Sequence, residues 1–458
     1  MTRLTNPIEG RWWLPGERRK SRQGSLQQRL DGHLELTLRR GWQRNVMLGL
    51  DRAERVTLLG EDDAGRPISL WSGFLKESSL MAPETAPAIF HFDAAFLGYH
   101  FPSEDVATLT ELSARVPALD QWLGISGFGI EEPFEDPLTI HFSKPKNIEL
   151  ELEPGLKLVF GFSSRGPILR RAQLEVHIRQ EAWLILRADP AKSYKDLSKV
   201  FSRILNLISL LVNEPLGYES KLAEVAHARK KHQEGGPTRV EIFFAPIAPE
   251  HIDKSVEEHT MLLRFKDIEL SHLEVFQRWL ERYRVCGPAF DSYFATQRVN
   301  PAYQEQRFMS IVQPLETLHR LTNQGHVTEK HQKRLDRIIE SCPKDRKWLT
   351  GKLRHSHEPT LATRLEDLLE PFGDLFGGPE EHRRLAEKAS DTRNYLTHYD
   401  SKMKDRAVEP AKLTPYIFRL NVLFILRCLL ELGLKPDEAR QRVDKNHRLH
   451  QMVRFGKI

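Results

Sequence analysis

Three side chains in the stretch DTRNYLTHYD (391–400) could do chemistry together: Arg393, Asn394 directly after it, and His398 four residues further on. An arginine is permanently charged, and its planar fork suits phosphate oxygens. An imidazole titrates near neutrality and can take or give a proton. An asparagine can hold the imidazole tautomer or a phosphate. Together they suit acid–base chemistry beside an anionic group. The same residues could equally form a polar helix surface. Spacing alone decides little, since chance supplies roughly two Arg-x4-His pairs in such a chain. A second pair does occur, Arg442 and His447 in RVDKNH. Asn directly after the Arg lowers the chance expectation to about 0.04, and only 393–398 meets it.

The element carrying these residues reads as a helix over 379–400, PEEHRRLAEKASDTRNYLTHYD. Pro379 suits a first turn, and Glu380 and Glu381 suit the positive end of the helix dipole. Leu385, Ala389, Thr392, Leu396 and Tyr399 recur at spacings of four and three and form one stripe, expected to be core. Glu387, Asp391, Asn394 and His398 fall on the opposite side. At 3.6 residues per turn, Arg393 lies about 140° from His398. Convergence of the two therefore requires a distorted turn, a wrapped arginine stem or a second copy of the chain. Asp391 and Glu387 could support His398 or simply solvate the helix. Tyr399 fits the stripe better than a catalytic role.

Other polar clusters are less specific. The 327–357 region is basic; Lys344, Arg346, Lys347, Lys352 and Arg354 could follow an RNA backbone or form a solvated surface. HSHE (355–358) has too few ligands at fixed spacing for a metal site. No GxxxxGK[ST] phosphate loop and no GxSxG elbow occur, and GFGI (127–130) is too short for a dinucleotide fingerprint, so neither an ATPase nor an α/β-hydrolase is supported.

The surrounding chain has 458 residues, enough for two or three domains. With 40% apolar and 29% charged residues it reads as globular. Three scattered cysteines suggest neither a disulfide framework nor a zinc knuckle, and a reducing cytoplasm fits. The N-terminus has no apolar signal segment. The most apolar stretch, 416–434, is interrupted by Arg419, Asn421 and Arg427, so a buried helix is expected rather than a membrane span. Residues 1–190 carry net charge −3 and residues 191–458 carry +8, an excess that hints at a polyanionic partner for the second part.

Strand patterns recur early: 34–41, then 54–59 and 67–71 as a hairpin, then 156–162, 172–178 and 181–188, with a helix expected at 107–124. These predict a β-rich sandwich or open barrel over 1–190. Helical spacing begins at 193–214, with Ser193 as its cap. A polar link (227–240) and a short strand follow, so 191–260 reads as a connection. From about residue 268 nearly everything reads as helix, including 271–296, 302–323, 327–341, 344–354, 360–371, 411–433 and 436–450, so 261–458 is expected to be the helical domain. The expected class is α+β multidomain: a β-rich N-terminal domain followed by an all-α bundle.

RNYLTH resembles the Arg-Asn-x-x-x-His signature of the HEPN superfamily, helical domains many of which are ribonucleases. RFMSIVQPLETLHR (307–320), TRLEDLLEPF (363–372) and the apolar helix ending LLELGL (429–434) resemble the ApeA-like branch, as do RVTLLGEDDAGRPISLW, FHFDAAFLGYHF and LDQWLG in the N-terminal part. The resemblance implies a metal-independent endoribonuclease of bacterial anti-phage defence that needs no cofactor and dimerises through its helical domain. It implies RNA as substrate, tRNA being one class, and a phage-derived trigger sensed elsewhere in the chain. Arg393, Asn394 and His398 take the family's catalytic places. A non-catalytic HEPN binding module and the toxin of a toxin–antitoxin pair are the alternatives.

Overall fold

Alternating Leu34, Leu36 and Leu38 turn inward from one strand and meet Trp12, Leu26, Leu58, Ile68, Phe90 and Phe92 in a closed apolar core. The structure, a computed structural model, describes the chain apart from residues 1–3, 5, 31, 54, 80, 132–138, 168–175, 226–237, 245–255, 300–302, 324–328, 354–355 and 456–458, and the side chains of 269–271, 330 and 331. The fold is α+β in two compact units, Met1–Gln277 and Arg278–Ile458.

In the first unit, strands β1 (Ile8–Trp13), β2 (Arg22–Gln28), β3 (Leu34–Leu38), β4 (Val56–Asp62), β5 (Pro67–Ser78) and β6 (Ala88–Phe92) pair antiparallel. β6 pairs with both β3 and β5, and β5 and β1 both pair with β4, which closes a six-stranded ring. Helix α1 (Arg44–Arg52) adds Met47 and Leu50 to its core. The expected hairpin is β4–β5. The first half of β5 also pairs with β7 (Ala94–Leu97), and its second half pairs with β6. The strand bends between them at Ser72, whose φ is +54°. A Cβ on the next residue, Gly73, would lie 2.2 Å from the Phe92 ring, so glycine is required at that bend.

Beyond the ring the sheet continues through β8 (Thr108–Arg115), β11 (Ile148–Glu153), β12 (Leu156–Arg165), β13 (Arg179–Ser193), β14 (Ser220–Val225) and β15 (Thr238–Phe244). Helix α2 (Leu119–Leu123) follows β8, and β9 (Phe128–Glu131) and β10 (Thr139–Phe142) form a separate ribbon. Helix α3 (Tyr194–Val212) packs on β13 and β8; the Ser193 hydroxyl accepts the Asp196 amide at 3.0 Å, the expected cap.

Two expectations are corrected here. The 107–124 segment is a strand and a single helical turn, because TLTELSAR lies between β13 and β14 and pairs with both. The 191–260 segment is not a connection: β14 and β15 join β8 and β7, so the first unit extends to Gln277. Those partners are more than a hundred residues away in sequence, beyond the reach of local patterning. Most of the polar link 227–240 lies outside the described residues, as do 172–175 of the strand expected at 172–178; Val176, His177 and Ile178 form no strand.

The second unit is helical. Its division from the first falls in the opening turns of α4 (His272–Val299). Helices α5 (Gln304–Thr322), α6 (Glu329–Ser341), α7 (Arg346–Leu353), α8 (Leu361–Leu369), α9 (Pro379–His398), α10 (Thr414–Glu431), α11 (Pro436–Lys445) and α12 (His447–Arg454) follow. α5 lies against α8, α9 and α10, and α8 lies against α9. α10 is the buried apolar helix. Its Arg419, 2% exposed, donates to the Phe376 carbonyl, and its Asn421 accepts from the Tyr293 hydroxyl at 2.9 Å. Among the described residues no helix is long and apolar enough to cross a membrane. The helix expected over 436–450 is two helices broken at Asn446, whose side chain caps α12 by accepting the Leu449 amide at 3.1 Å. Arg442 and His447 therefore sit on different helices, either side of the break at Asn446.

Candidate functional site

α9 starts at Pro379 after two glycines with positive φ and runs uninterrupted to His398. Tyr399 ends it in the left-handed conformation (φ 50°, ψ 32°). Leu385, Ala386, Ala389 and Thr392 are buried and seat the helix. The apolar stripe stops there: Leu396 is half-buried and Tyr399 is 71% exposed. The expectation that Tyr399 belongs to the core is corrected, because the chain leaves the helix at that residue. Its ring instead stands edge-on to Tyr395, 5.7 Å between centroids.

The segment after α9 is tied back along it. The Thr392 hydroxyl accepts the Val408 amide at 2.9 Å, Lys388 donates to the Arg406 carbonyl at 3.0 Å, and Arg406 pairs with Asp391 at 3.1 Å. Asp391 thus anchors this strap. Glu387 is exposed and makes no ion pair among the described residues.

Arg393 is aimed by two neighbours. One terminal nitrogen donates to the Asn394 Oδ1 at 3.0 Å, the other to the Glu316 carboxylate on α5 at 2.7 Å. A guanidinium has five N–H donors, so three remain for a ligand. The His398 side chain, at the exposed end of α9, makes no hydrogen bond or ion pair among the described residues. The unbroken helix keeps Arg393 and His398 about 140° apart, and no distorted turn brings them together.

Glu316 belongs to a wider polar network that the sequence reading did not identify. Arg320, one turn on, reaches Glu316 at 3.4 Å and Glu358 at 3.3 Å. Arg364 of α8, 3% exposed, reaches Glu358 at 3.2 Å and the Nδ1 of His319 at 3.3 Å. The His319 Nε2 lies 2.9 Å from Asp367. His319 thus accepts from Arg364 through Nδ1 and donates to Asp367 through Nε2. Burial pushes its pKa down, with the Asp367 hydrogen bond opposing, so it is held in that neutral tautomer. Burial also lowers the Arg364 pKa. The i,i+4 pair Glu316–Arg320 was the available sequence signal; its closure onto Arg393, 77 residues away, was not.

Of the basic residues expected to contact RNA, Lys344 lies in the turn before α7, and Arg346, Lys347 and Lys352 are exposed on α7; Arg354 lies outside the described residues. His355 of HSHE does too. Among the described residues no three His, Cys, Asp or Glu side chains are grouped to hold a metal.

The second unit is helical and carries Arg-Asn-x-x-x-His at the end of α9, and the family model for the Apea-like HEPN domain matches residues 309–438. Residues 7–279 match the model for ApeA N-terminal domain 1, and the chain belongs to the ApeA-like HEPN family. No curated protein and no solved structure matches it.

Proposed function

We propose that the chain is a metal-independent endoribonuclease of anti-phage defence, cleaving RNA by attack of a 2′-OH on the neighbouring phosphorus. The observation that carries this reading is Arg393, half-buried and aimed by Glu316 and Asn394, five residues before a solvent-accessible His398 at the end of the same helix. The three free donors of Arg393 suit the non-bridging oxygens and the extra charge of the pentacoordinate state. His398 takes the 2′-OH proton as the 2′-oxygen bonds to phosphorus and the P–O5′ bond breaks. The products are a 2′,3′-cyclic phosphate and a 5′-OH end.

One imidazole cannot be base and acid in the same step. The exposed end of α9 offers a resolution, in which two copies meet there. Arg393 of one then faces His398 of the other, and the second His398 protonates the leaving 5′-oxygen. Asp391, Glu387 and Tyr399 act outside the proton transfers in this scheme. tRNA is a candidate substrate class, and the β-rich first unit a candidate sensor of the phage trigger in a cytoplasmic setting.

The test is incubation of the purified full chain and its His398→Ala variant with total RNA and tRNA, followed by mapping of product ends. The expected result is cyclic phosphate and 5′-OH ends from the wild type alone, unchanged by chelator. Absence of cleavage, or equal cleavage by the variant, overturns the enzyme reading and favours a non-catalytic binding module.

A further inference from the structure

Between α5 and α8 the chain forms an arm, α6 and α7 joined by a short turn, that packs chiefly on itself. Leu335, Ile338 and Ile339 of α6 and Leu349 and Leu353 of α7 are half-buried, and nothing described in the arm is fully buried. Its described side chains include seven Lys and Arg, all exposed, against four Asp and Glu. An ordinary solvated helix face pairs such charges at i,i+4, as Lys333 does with Glu329 at 2.7 Å. The other six cations make no ion pair among the described residues.

Among these cations stands Trp348, 62% exposed. Lys344 precedes it by four residues and Lys352 follows by four, with Arg346 and Lys347 just before it. At 1.5 Å per residue Lys352 lies about 6 Å along the α7 axis from Trp348, and Lys344 stands in the turn that leads into the helix. The half-buried Leu353 lies about 140° around α7 from Trp348, so the ring is not part of the seam with α6.

We infer that this arm is a grip for single-stranded RNA, in which Trp348 stacks on an unpaired base while Lys344, Arg346, Lys347 and Lys352 hold the flanking phosphates. Unpaired cations supply the salt-dependent, sequence-independent part of such binding, and an exposed aromatic ring supplies the stack that separates a single strand from a duplex. A protein partner would use the tryptophan equally but would leave the cations without phosphates to neutralise. The inference rests on the ribonuclease reading for its choice of RNA, yet it concerns binding and is tested apart from cleavage.

The test uses the full chain carrying His398→Ala, so that the probe stays intact, and a fluorescein-labelled single-stranded oligoribonucleotide read by anisotropy over a series of KCl concentrations. Trp348→Ala should weaken binding about fivefold to a hundredfold, the range of one base–aromatic stack, and Trp348→Tyr should restore most of it. Lys344→Gln/Arg346→Gln/Lys347→Gln should flatten the dependence of log affinity on log salt by about 2, near 0.7 for each phosphate no longer neutralised. All of these side chains are exposed, so thermal midpoints should not move. Unchanged affinity and slope in these variants overturn the inference. So does an unchanged affinity with a smaller oligomer, which would make the arm a protein interface. If the wild type fails to cleave RNA but the arm variants lose binding, the catalytic reading falls and the grip stands. If the wild type cleaves and the arm variants bind and cleave equally well, the grip alone falls.

Discussion

The Glu316 carboxylate lies 2.7 Å from a terminal nitrogen of Arg393, an ion pair that joins α5 to the last turns of α9. Glu316 is also held by Arg320 at 3.4 Å, so it is fixed from behind before it meets Arg393. Its role is to aim the guanidinium. Glu316→Ala should leave the charge of Arg393 in place but unaimed. Misplacement of a phosphate-binding group by about 1 Å can cost on the order of a hundredfold in rate. Single-turnover cleavage of a labelled RNA should therefore fall by about ten- to a hundredfold, with the thermal midpoint little changed. Glu316→Gln keeps an acceptor and should retain more activity. Equal losses in both variants would point to charge balance rather than aim.

The network behind this pair predicts a pH dependence of stability. Burial lowers the folded-state pKa of His319, and of His382, whose Nε2 lies 2.8 Å from the Gly373 carbonyl. In the unfolded chain both titrate near 6.5. Below about 6.5 the unfolded state thus binds more protons than the folded one, and stability falls with pH until the folded histidines protonate. The loss is at most about 1.4 kcal/mol per pH unit for each histidine. Urea unfolding of the full chain and of His319→Gln, followed between neutral and mildly acidic pH, measures it. The variant should start less stable but show a shallower pH slope, and an identical slope would exclude His319 as the cause.

The sequence displayed what is local and concealed what is long-range. The α9 periodicity placed Leu385, Ala389 and Thr392 in the core, and Ser193 was readable as a cap because its partner is three residues away. Tyr399 was misplaced because a helical wheel cannot show the residue at which the chain turns into the left-handed region. The strand β8 within 107–124 carries helix-forming Leu, Glu and Ala, and only its pairing with β13 and β14 makes it a strand. The roles of Asp391 and Arg393 were ambiguous for the same reason. Their partners, Arg406 and Glu316, arrive from a strap and from another helix.

A lysine in the first unit carries a stability prediction of its own. Lys221 on β14 is buried, with its ammonium 4.8 to 5.7 Å from the ring centroids of Phe244, Tyr218, Tyr194 and Phe201 and 3.4 Å from the Ser198 hydroxyl. It makes no ion pair with a carboxylate among the described residues, and burial lowers its pKa to about 7. The unfolded lysine titrates near 10.4. Between these values the unfolded state binds more protons, so wild-type stability should rise with pH from about 7 towards 10. Lys221→Met should stabilise the first unit most at or below neutral pH, on the order of 2–4 kcal/mol, and the advantage should fade at alkaline pH. A thermal shift independent of pH would mean that the ammonium is not desolvated.

The unbroken helix between Arg393 and His398 makes the two-copy site testable by mixing. Arg393→Ala keeps both imidazoles of a dimer and no guanidinium, whereas His398→Ala keeps both guanidiniums and no imidazole, so each homodimer should be inactive. Co-expression yields dimers in which one chain supplies Arg393 and the other His398. If the two groups meet across copies, one of the two sites in each mixed dimer holds both. Random pairing makes half the dimers mixed, and each keeps one His398 as base but lacks the second as acid, so recovery should exceed both parents yet stay well below a quarter of wild-type activity. If both groups of a working site come from one chain, no mixed dimer holds an intact site and activity stays at the level of the parents. Differently tagged chains purified through both tags, then assayed on the same RNA, separate the outcomes. Activity above both parents establishes that Arg393 and His398 work across two copies and places the catalytic cleft at the exposed end of α9, whereas its absence returns Arg393 and His398 to one chain or makes both His398 side chains indispensable.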